Sequence, residues 1–529
     1  MKNFTYSFSL LTSTQLAKLI ISTCSGIILY PSYPPINWWI TTFISLSFIG
    51  LVLSEINTNS KWGFIYGLTF GISFYIPLIS WINNFTGKLP WFVLSLSQAL
   101  FYGFFGLIAT FFRRLYSWPL WFSLIWVTQE WFKSIIPFGG FPLGNICISQ
   151  TSEPFIIFAK YGGTLLVSLI VTFTSFMFTL FYSEIIFLKF NKYQVDNSAI
   201  SKITFSNLVI FILLFNIFLL ENQLYLSNIV NVNEKIVSIA SIQGNIPRLN
   251  LNFRNQNLAV FNNHIIETKL MTNDIISKTV SNPMFVIWPE DALGVDFLTN
   301  ADKVSQITET VEYIGSPILM GVIVRTNNYN KSHAFIVNKV IIWDPIQGPY
   351  EFHDKNIIQP FGEYIPWRGF FKYFSSIIDQ AGYFIRGKHN SIIDISGYPL
   401  GVSTCWEVMF NGIVESSVHS GAQIVTVPSN NSNFNKYMSK QQLAFSKLHA
   451  IEYSRYVVVS GTTGVSAIIA PNGHEIINTN FFKPAYLYGH IRFKSDFMPI
   501  TTWDLTIQMI IIVLNIASVS MKTIISLTK

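Results

Sequence analysis

Charged side chains are scarce in this sequence: only 12% of its 529 residues are Asp, Glu, Lys or Arg, about half the ~25% of a soluble domain. With half the residues hydrophobic, intrinsic disorder is excluded, and a simple cytosolic enzyme is a poor fit. Cysteine is equally sparse. Cys24, Cys147 and Cys405 are too few, and odd in number, for a disulfide framework. The eight histidines are dispersed, and no Cys/His cluster has ligand spacing, so no metal is expected. The absence of a glycine-rich phosphate loop leaves no nucleotide cofactor to expect either.

A formal net charge of +7 raises nucleic acid as a partner, and the distribution of charge argues against it. Residues 1–223 carry 11 basic and 6 acidic side chains, residues 224–497 carry 21 and 20, and residues 498–529 carry 2 and 1. The excess lies with the apolar segments, whose flanks hold Lys and Arg, while the polar middle has no basic stripe.

What the chain has is apolar length. A membrane helix needs about 20 apolar residues at ~1.5 Å each, and runs of that size fall near 14–30, 37–56, 62–82, 89–112, 117–136, 155–183 and 203–222, with an eighth at 499–521. The expected organisation is a membrane domain (1–223), a polar domain (224–497) and a last span with its tail (498–529). Lys2 and Lys18 precede the first run as in a signal peptide, but no small-x-small cleavage site follows, so the run reads as uncleaved.

One set of loops holds Lys61, Arg113, Arg114, Lys189, Lys192 and Lys202, with Lys522 and Lys529 in the tail. The other set holds only Lys88 and Lys133. This bias predicts cytoplasmic termini and an external polar domain. Glu130 and Lys160 lie at span ends, where snorkelling or helix contacts would account for them. Phe138-Gly-Gly-Phe-Pro-Leu-Gly-Asn145 reads as an outer loop or re-entrant turn.

The polar block alternates short β-branched runs with amphipathic stretches, the pattern of a layered α/β fold. Strands are predicted at Lys235–Gln243, Phe285–Trp288, Ile318–Val324, Ala334–Trp343, Pro399–Thr404, Ile424–Pro428, Val457–Ser460 and Val465–Ile469. Helices are predicted at Asn257–Lys278, Ala301–Tyr313, Phe410–Ser420 and Tyr437–Ser454, and Pro471–Gly473 closes a late hairpin.

Three predicted strands end in chemistry. Phe285-Val-Ile-Trp-Pro-Glu290 runs into a carboxylate, Phe352-His-Asp-Lys355 into an amine, and Gly401-Val-Ser-Thr-Cys405 into a thiol. Sites in α/β sheets form beyond the carboxyl ends of strands, so Glu290, Lys355 and Cys405 can converge. Alone, Cys405 is a small buried hydrophobe. Together the three make an acyl-transfer set: a carboxylate takes the proton of a thiol of pKa about 8.5, and an ammonium stabilises the oxyanion.

Trp288-Pro-Glu290, Lys355 followed by Pro360-Phe-Gly-Glu-Tyr-Ile-Pro366, and Cys405-Trp-Glu407 resemble the nitrilase-superfamily domain of bacterial apolipoprotein N-acyltransferases. The likeness extends to Ile242-Gln-Gly-Asn-Ile-Pro247, Phe141-Pro-Leu-Gly-Asn145, Glu452-Tyr-Ser-Arg455 and Thr462-Thr-Gly-Val-Ser-Ala467, and so spans essentially the whole chain. It implies eight spans and an αββα sandwich. The reaction it implies takes an acyl chain from a phospholipid onto Cys405 and then onto the α-amine of a diacylglyceryl-cysteine apolipoprotein, on the periplasmic side of a cell inner membrane. The partners are then the phospholipid donor, the apolipoprotein acceptor and the bilayer. On the family pattern Glu290 is the base, Lys355 the oxyanion stabiliser and Cys405 the nucleophile. Glu363 is a second essential carboxylate, and Glu407 supports the cysteine loop.

The chain departs from the pattern at Trp406, where Tyr is usual, and near Asn252 and Phe253, where a Trp is usual. It departs again at Asn431-Ser-Asn-Phe434, a degraded Asn-Asp-Ala-Trp-Phe. Substrate contacts are expected from Asn431 and from Trp367, Phe370 and Phe371, an aromatic stretch suited to a membrane surface. A membrane-anchored nitrilase-like amidase or cysteine hydrolase is the alternative, although no histidine sits in a papain-like context. A transporter would need paired broken helices and internal repeats, and neither is present.

Overall fold

The computed structural model describes residues 14–190 and 235–501, less 116, 247–252, 295–296, 331–332, 374–382, 388–391 and 497. The chain forms two compact units, Met1–Asn231 with Thr502–Lys529, and Val232–Thr501.

In the first unit the described residues form helices α1 Gln15–Leu29, α2 Ile40–Ser54, α3 Ser60–Leu78, α4 Trp81–Thr86, α5 Lys88–Phe112, α6 Trp118–Lys133 and α7 Ala159–Phe190, the last broken at Gly162 and Gly163. Two helical stretches, Lys88–Phe112 and Pro154–Ser183, are long and apolar enough to cross a membrane. The predicted runs at 203–222 and nearly all of 499–521 lie outside the described residues. Helices α3 and α5 approach backbone to backbone. A Cβ on Gly67 would stand 2.0 Å from the Tyr102 carbonyl oxygen, so glycine is required there, as at close crossings of membrane helices.

Two charges differ from their expected settings. Lys133 is the last residue of α6 rather than a loop residue, and Glu130 does not snorkel; both are fully buried. Glu130 Oε1 accepts from Trp126 Nε1 at 3.0 Å and from Ile146 N at 2.8 Å, and Lys133 Nζ donates to Tyr75 Oη at 2.7 Å. The hydroxyls of Tyr33 and Tyr75 donate to the carbonyls of Gly144 and Leu143 at 2.9 and 3.0 Å. Buried charges persist only when they are paired and hydrogen bonded. These partners hold the non-helical Phe138–Asn145 segment from below.

The second unit is built on side-chain alternation. In β1, Ile236–Gln243, Val237 and Ile239 face one layer while Ala240 and Ile242 face another, the period-2 division of a strand buried on both sides. The same division runs through β2 Phe285–Ile287 and β3 Ile318–Asn330. These strands join β4 His333–Asp344, β5 Gly348–Asp354 and β12 Ala485–Arg492 in a six-stranded sheet of order β12-β1-β2-β3-β4-β5. A second sheet, order β11-β10-β9-β8-β7-β6, uses β6 Ile392–Ile395, β7 Tyr398–Val402, β8 Ile424–Ser429, β9 Tyr456–Gly461, β10 Ala467–Ile469 and β11 Glu475–Asn478.

Ile239, Ile287 and Leu319 of the first sheet meet Leu400, Ile424 and Val458 of the second in one core. The outer face of the first sheet is covered by α8 Phe253–Ser277 and α9 Ala301–Ile314, through Phe261, Ile265, Ile307 and Val311. After the short turn α10 Arg368–Phe371, helices α11 Asn411–His419 and α12 Lys436–Tyr453 pack on β7 and β9 of the second. The layers are therefore αββα. Predicted strand bounds shift: β2 stops at Ile287 and β7 at Val402, because the residues beyond them turn into polar loops, while β3 runs on past Val324 to Asn330 and β10 starts only at Ala467.

Arg455 fastens the end of this unit. Fully buried, it donates from Nε to Ala422 O at 2.9 Å and from Nη1 to Asp496 O at 2.8 Å and Tyr453 O at 3.1 Å. Arg455→Met strips these buried carbonyls of their donors. It is expected to lower stability by about 2–4 kcal/mol, seen as a lower thermal unfolding midpoint; an unchanged midpoint would contradict this account.

Candidate active site

Strands β1, β2 and β3 run parallel in one sheet, and β7, β8 and β9 in the other. The residues just past β2, β5, β7 and β8 meet. Past β2, the Trp288 indole donates to Thr268 Oγ1 at 3.0 Å and Pro289 turns the chain, presenting Glu290. Gly321 of β3 passes directly behind: a Cβ there would stand 2.5 Å from Glu290 Cα and from Asp291 N. Past β5, Lys355 N donates to Asn338 O at 2.9 Å, which fixes the lysine beside β4. Past β7, Cys405 adopts φ +51°, a left-handed backbone rare for a side-chain-bearing residue.

Lys355 is the hub. Its Nζ donates to Glu290 Oε1 and Glu363 Oε1, each at 2.8 Å. Asn338 Nδ2 reaches the same two oxygens at 2.6 and 3.4 Å. Glu290 Oε2 accepts from Asn430 N, just past β8, at 2.9 Å, and Glu363 Oε2 from Gln359 N at 2.6 Å. Burial disfavours the Lys355 ammonium, yet the charges of Glu290 and Glu363 outweigh it and hold its pKa well above the usual lysine range. Burial and the Glu290 charge push Glu363 up while Lys355 opposes them.

The Cys405 thiol is buried within the field of Glu290 and Lys355, and has Gln442 Nε2 at 3.6 Å from its sulfur. Burial raises its pKa well above the ordinary thiol value, Glu290 adds to the rise, and Lys355 only partly opposes it. These surroundings therefore favour the thiol over the thiolate at rest.

Glu407 stands apart from this cluster and organises it. Its Oε1 accepts from Asn356 N at 2.6 Å and Ile357 N at 2.9 Å, and its Oε2 from Thr404 N at 2.7 Å in a capping box. One carboxylate thus ties the residue after Lys355 to the residue before Cys405. Burial works against its charge, but these bonds and His353, 3.6 Å away, win and hold its pKa low.

The remaining predicted residues divide. Trp406 is buried, its ring 5.9 Å from that of Phe410. Asn431 is also buried, and its Nδ2 donates to Gly464 O at 3.2 Å, bracing the loop after β9. Trp367 and Phe370 are exposed, close in sequence to Glu363, and Phe371 ends α10. Asn338, Asn430, Gln442, Asp291 and His353 join the site without having been anticipated. Only Asn338 carried a signal, as a polar residue set between Val337 and Val340 in an apolar strand.

A buried thiol, a carboxylate and an ammonium held by two carboxylates on an αββα sandwich fit a nitrilase-type carbon–nitrogen hydrolase domain, and residues 239–495 match the family profile for carbon-nitrogen hydrolases. Residues 25–177 match the profile for the apolipoprotein N-acyltransferase N-terminal domain. The chain belongs to the apolipoprotein N-acyltransferase family. It is 44% identical over 501 residues to the apolipoprotein N-acyltransferase of Mycolicibacterium smegmatis, covering 95% of this chain and 84% of that one. It is 24% identical over 491 residues to that of Shewanella oneidensis, covering 86% of each. Among solved structures, a nitrilase-superfamily amidase from Nesterenkonia AN1 is 13% identical, with a TM-score of 0.34 over 48% of this chain and 90% of that one.

The lowered pKa of Glu407 gives a pH prediction. Its contribution to stability is fully present above the unfolded value of about 4.3 and is lost as pH falls through the lower folded value. Glu407→Gln is expected to be less stable at pH 7 and to lose less on acidification to pH 3, measured by chemical unfolding. Parallel losses in both proteins would contradict this role.

Proposed function

We propose that this enzyme moves an acyl chain from a membrane phospholipid to the α-amine of a diacylglyceryl-cysteine at a lipoprotein N-terminus, through a thioester on Cys405. The observation that carries the reading is the meeting of Cys405, Glu290 and Lys355 in one buried cluster, in a chain of this family.

Glu290 takes the thiol proton as the sulfur attacks the ester carbonyl. Lys355 sits where its charge stabilises the oxyanion, a contribution of about 3–4 kcal/mol in comparable sites. The tetrahedral adduct collapses by breaking the ester C–O bond, and Glu290 returns its proton to the departing lysophospholipid oxygen. The amine then attacks the thioester, forms the amide and releases the thiol. Glu363 balances the charge of Lys355, Glu407 sets the two loops in register, and Trp406 packs behind the nucleophile. Trp367, Phe370 and Phe371 form an aromatic lip where acyl chains enter from the bilayer, and Asn431 supports the acceptor side.

The setting is an inner membrane crossed eight times, by residues 1–223 and 498–529, with both termini cytoplasmic and residues 224–497 catalytic on the periplasmic side. The apolar helices and the exposed Trp367 and Phe370 support it. A nitrilase-like amidase would resolve the same thioester with water, but it would have no use for lipid access.

Purified protein given phospholipid is expected to gain one acyl mass, released by hydroxylamine, and Cys405→Ser to gain none. Glu290→Gln should slow that gain by about 10²–10⁴-fold and Lys355→Met by about 10²–10³-fold. A wild-type protein that gains no mass ends the reading. Replacing Phe370 and Phe371 together by Ser is expected to abolish turnover of vesicle lipid with the circular dichroism spectrum unchanged; full turnover would remove the lip from the mechanism.

A further inference from the structure

The carboxylates around Lys355 are not equally committed. Glu290 accepts from Lys355 and Asn338 on one oxygen and from Asn430 N on the other, so both its oxygens are engaged. Glu363 accepts from Lys355 and Asn338 on one oxygen and from Gln359 N on the other. Asp291, the next residue after Glu290, differs. Its Oδ1 is buried without a hydrogen-bond partner, and its Oδ2 has Asn430 Nδ2 at 3.5 Å. Its backbone is left-handed, at φ +65°, and the same Asn430 holds Glu290 through its N–H.

An uncommitted buried carboxylate oxygen costs free energy unless something arrives to satisfy it. The charge around it says what should arrive. The charged groups acting on Asp291 are Glu290 and Glu363, both acidic, with Lys355 the one cation among them; the Asn430 amide also favours the carboxylate. Its surroundings therefore hold more negative than positive charge, which favours a cation. The acyl acceptor supplies one: its α-amine is an ammonium below a pKa of about 7.7–8.0, and an ammonium cannot attack a thioester.

We propose that Asp291 receives the α-ammonium of the acceptor and removes one proton from it in the second half-reaction. The inference rests on the acyl-transfer reading above. The ammonium gives one proton to Asp291, and the freed nitrogen lone pair forms the C–N bond to the thioester carbonyl. As the C–S bond breaks, the nitrogen loses its second proton to Glu290, which passes it to the departing sulfur and restores the thiol. Asp291 then releases its proton to solvent. Burial and the charges of Glu290 and Glu363 push Asp291 up to about 7, with Lys355 opposing. Transfer from an α-ammonium is then nearly balanced rather than steeply uphill.

The test separates the two half-reactions. Full-length protein in phosphatidylethanolamine and phosphatidylglycerol vesicles is given a diacylglyceryl-cysteine peptide, and Cys405 thioester and amide product are followed by mass. In Asp291→Asn, transfer at pH 7 is expected to fall about 100-fold further than thioester formation does. That deficit should shrink as pH rises above the amine's own pKa, and Asp291→Glu should recover part of the rate. Transfer at the wild-type rate, or thioester formation and transfer falling together, overturns the assignment. A second measurement needs no variant: single-turnover transfer by wild type should show an ascending limb near pH 7 distinct from that of the amine, and its absence also overturns the assignment. If wild type forms no thioester at all, the acyl-transfer reading fails first, and that result is distinct from the others.

Discussion

One ammonium group shared by two carboxylates sets the terms for everything around it. Lys355 stands 2.8 Å from both Glu290 and Glu363, and all three are largely withdrawn from water. In such surroundings unpaired charge is costly, and removing one partner of a buried set typically costs about 3–5 kcal/mol. The lysine cannot be neutral without leaving two carboxylates facing each other, and losing either carboxylate removes one of the two charges that offset the buried ammonium. This mutual requirement keeps the ammonium charged, as the proposed oxyanion role of Lys355 requires. It also keeps Glu290 ionised near the thiol, as its proposed role as base requires.

Such a cluster demands accurate placement, and the backbone supplies it. Glu290, Lys355, Cys405 and Asn430 each lie just past a strand, so two sheets with a common core fix their positions. Glu407 then joins the loops that carry Lys355 and Cys405 through three backbone N–H groups. Gly321 lets β3 run against the Glu290 backbone, where any side chain would collide. Cys405 holds a left-handed backbone at the end of its strand, a strained setting that the surrounding structure must sustain.

Much of this was legible before any coordinates, for a physical reason. Phe285–Ile287 and Leu400–Val402 are apolar runs that end abruptly at Glu290 and near Cys405, and burial forces such transitions to mark strand ends. Strands β5, β6, β11 and β12 were not legible. β6 and β11 are four residues each at sheet edges, β5 mixes Gly, Pro and charge, and β12 alternates aromatic and small residues on a half-exposed rim. The partners that complete the site were hidden differently. Asn430 acts through its backbone N–H, and Asp291 and Gln442 gain meaning only from neighbours far away in sequence. Glu130 looked like a span-end charge and Lys133 like an outer-loop charge, because nothing local reveals that the Ile146 N–H and Tyr75 reach them.

The central claim is that an acyl chain rests on the sulfur of Cys405 on its way from lipid to protein. A pulse of phospholipid labelled in one acyl chain, followed by proteolysis and mass mapping, tests it most directly. The label should appear on the peptide containing Cys405 and, when lipopeptide is added as a chase, should pass in full to the lipopeptide amine. Label that reaches the amide without ever appearing on that cysteine would contradict the account.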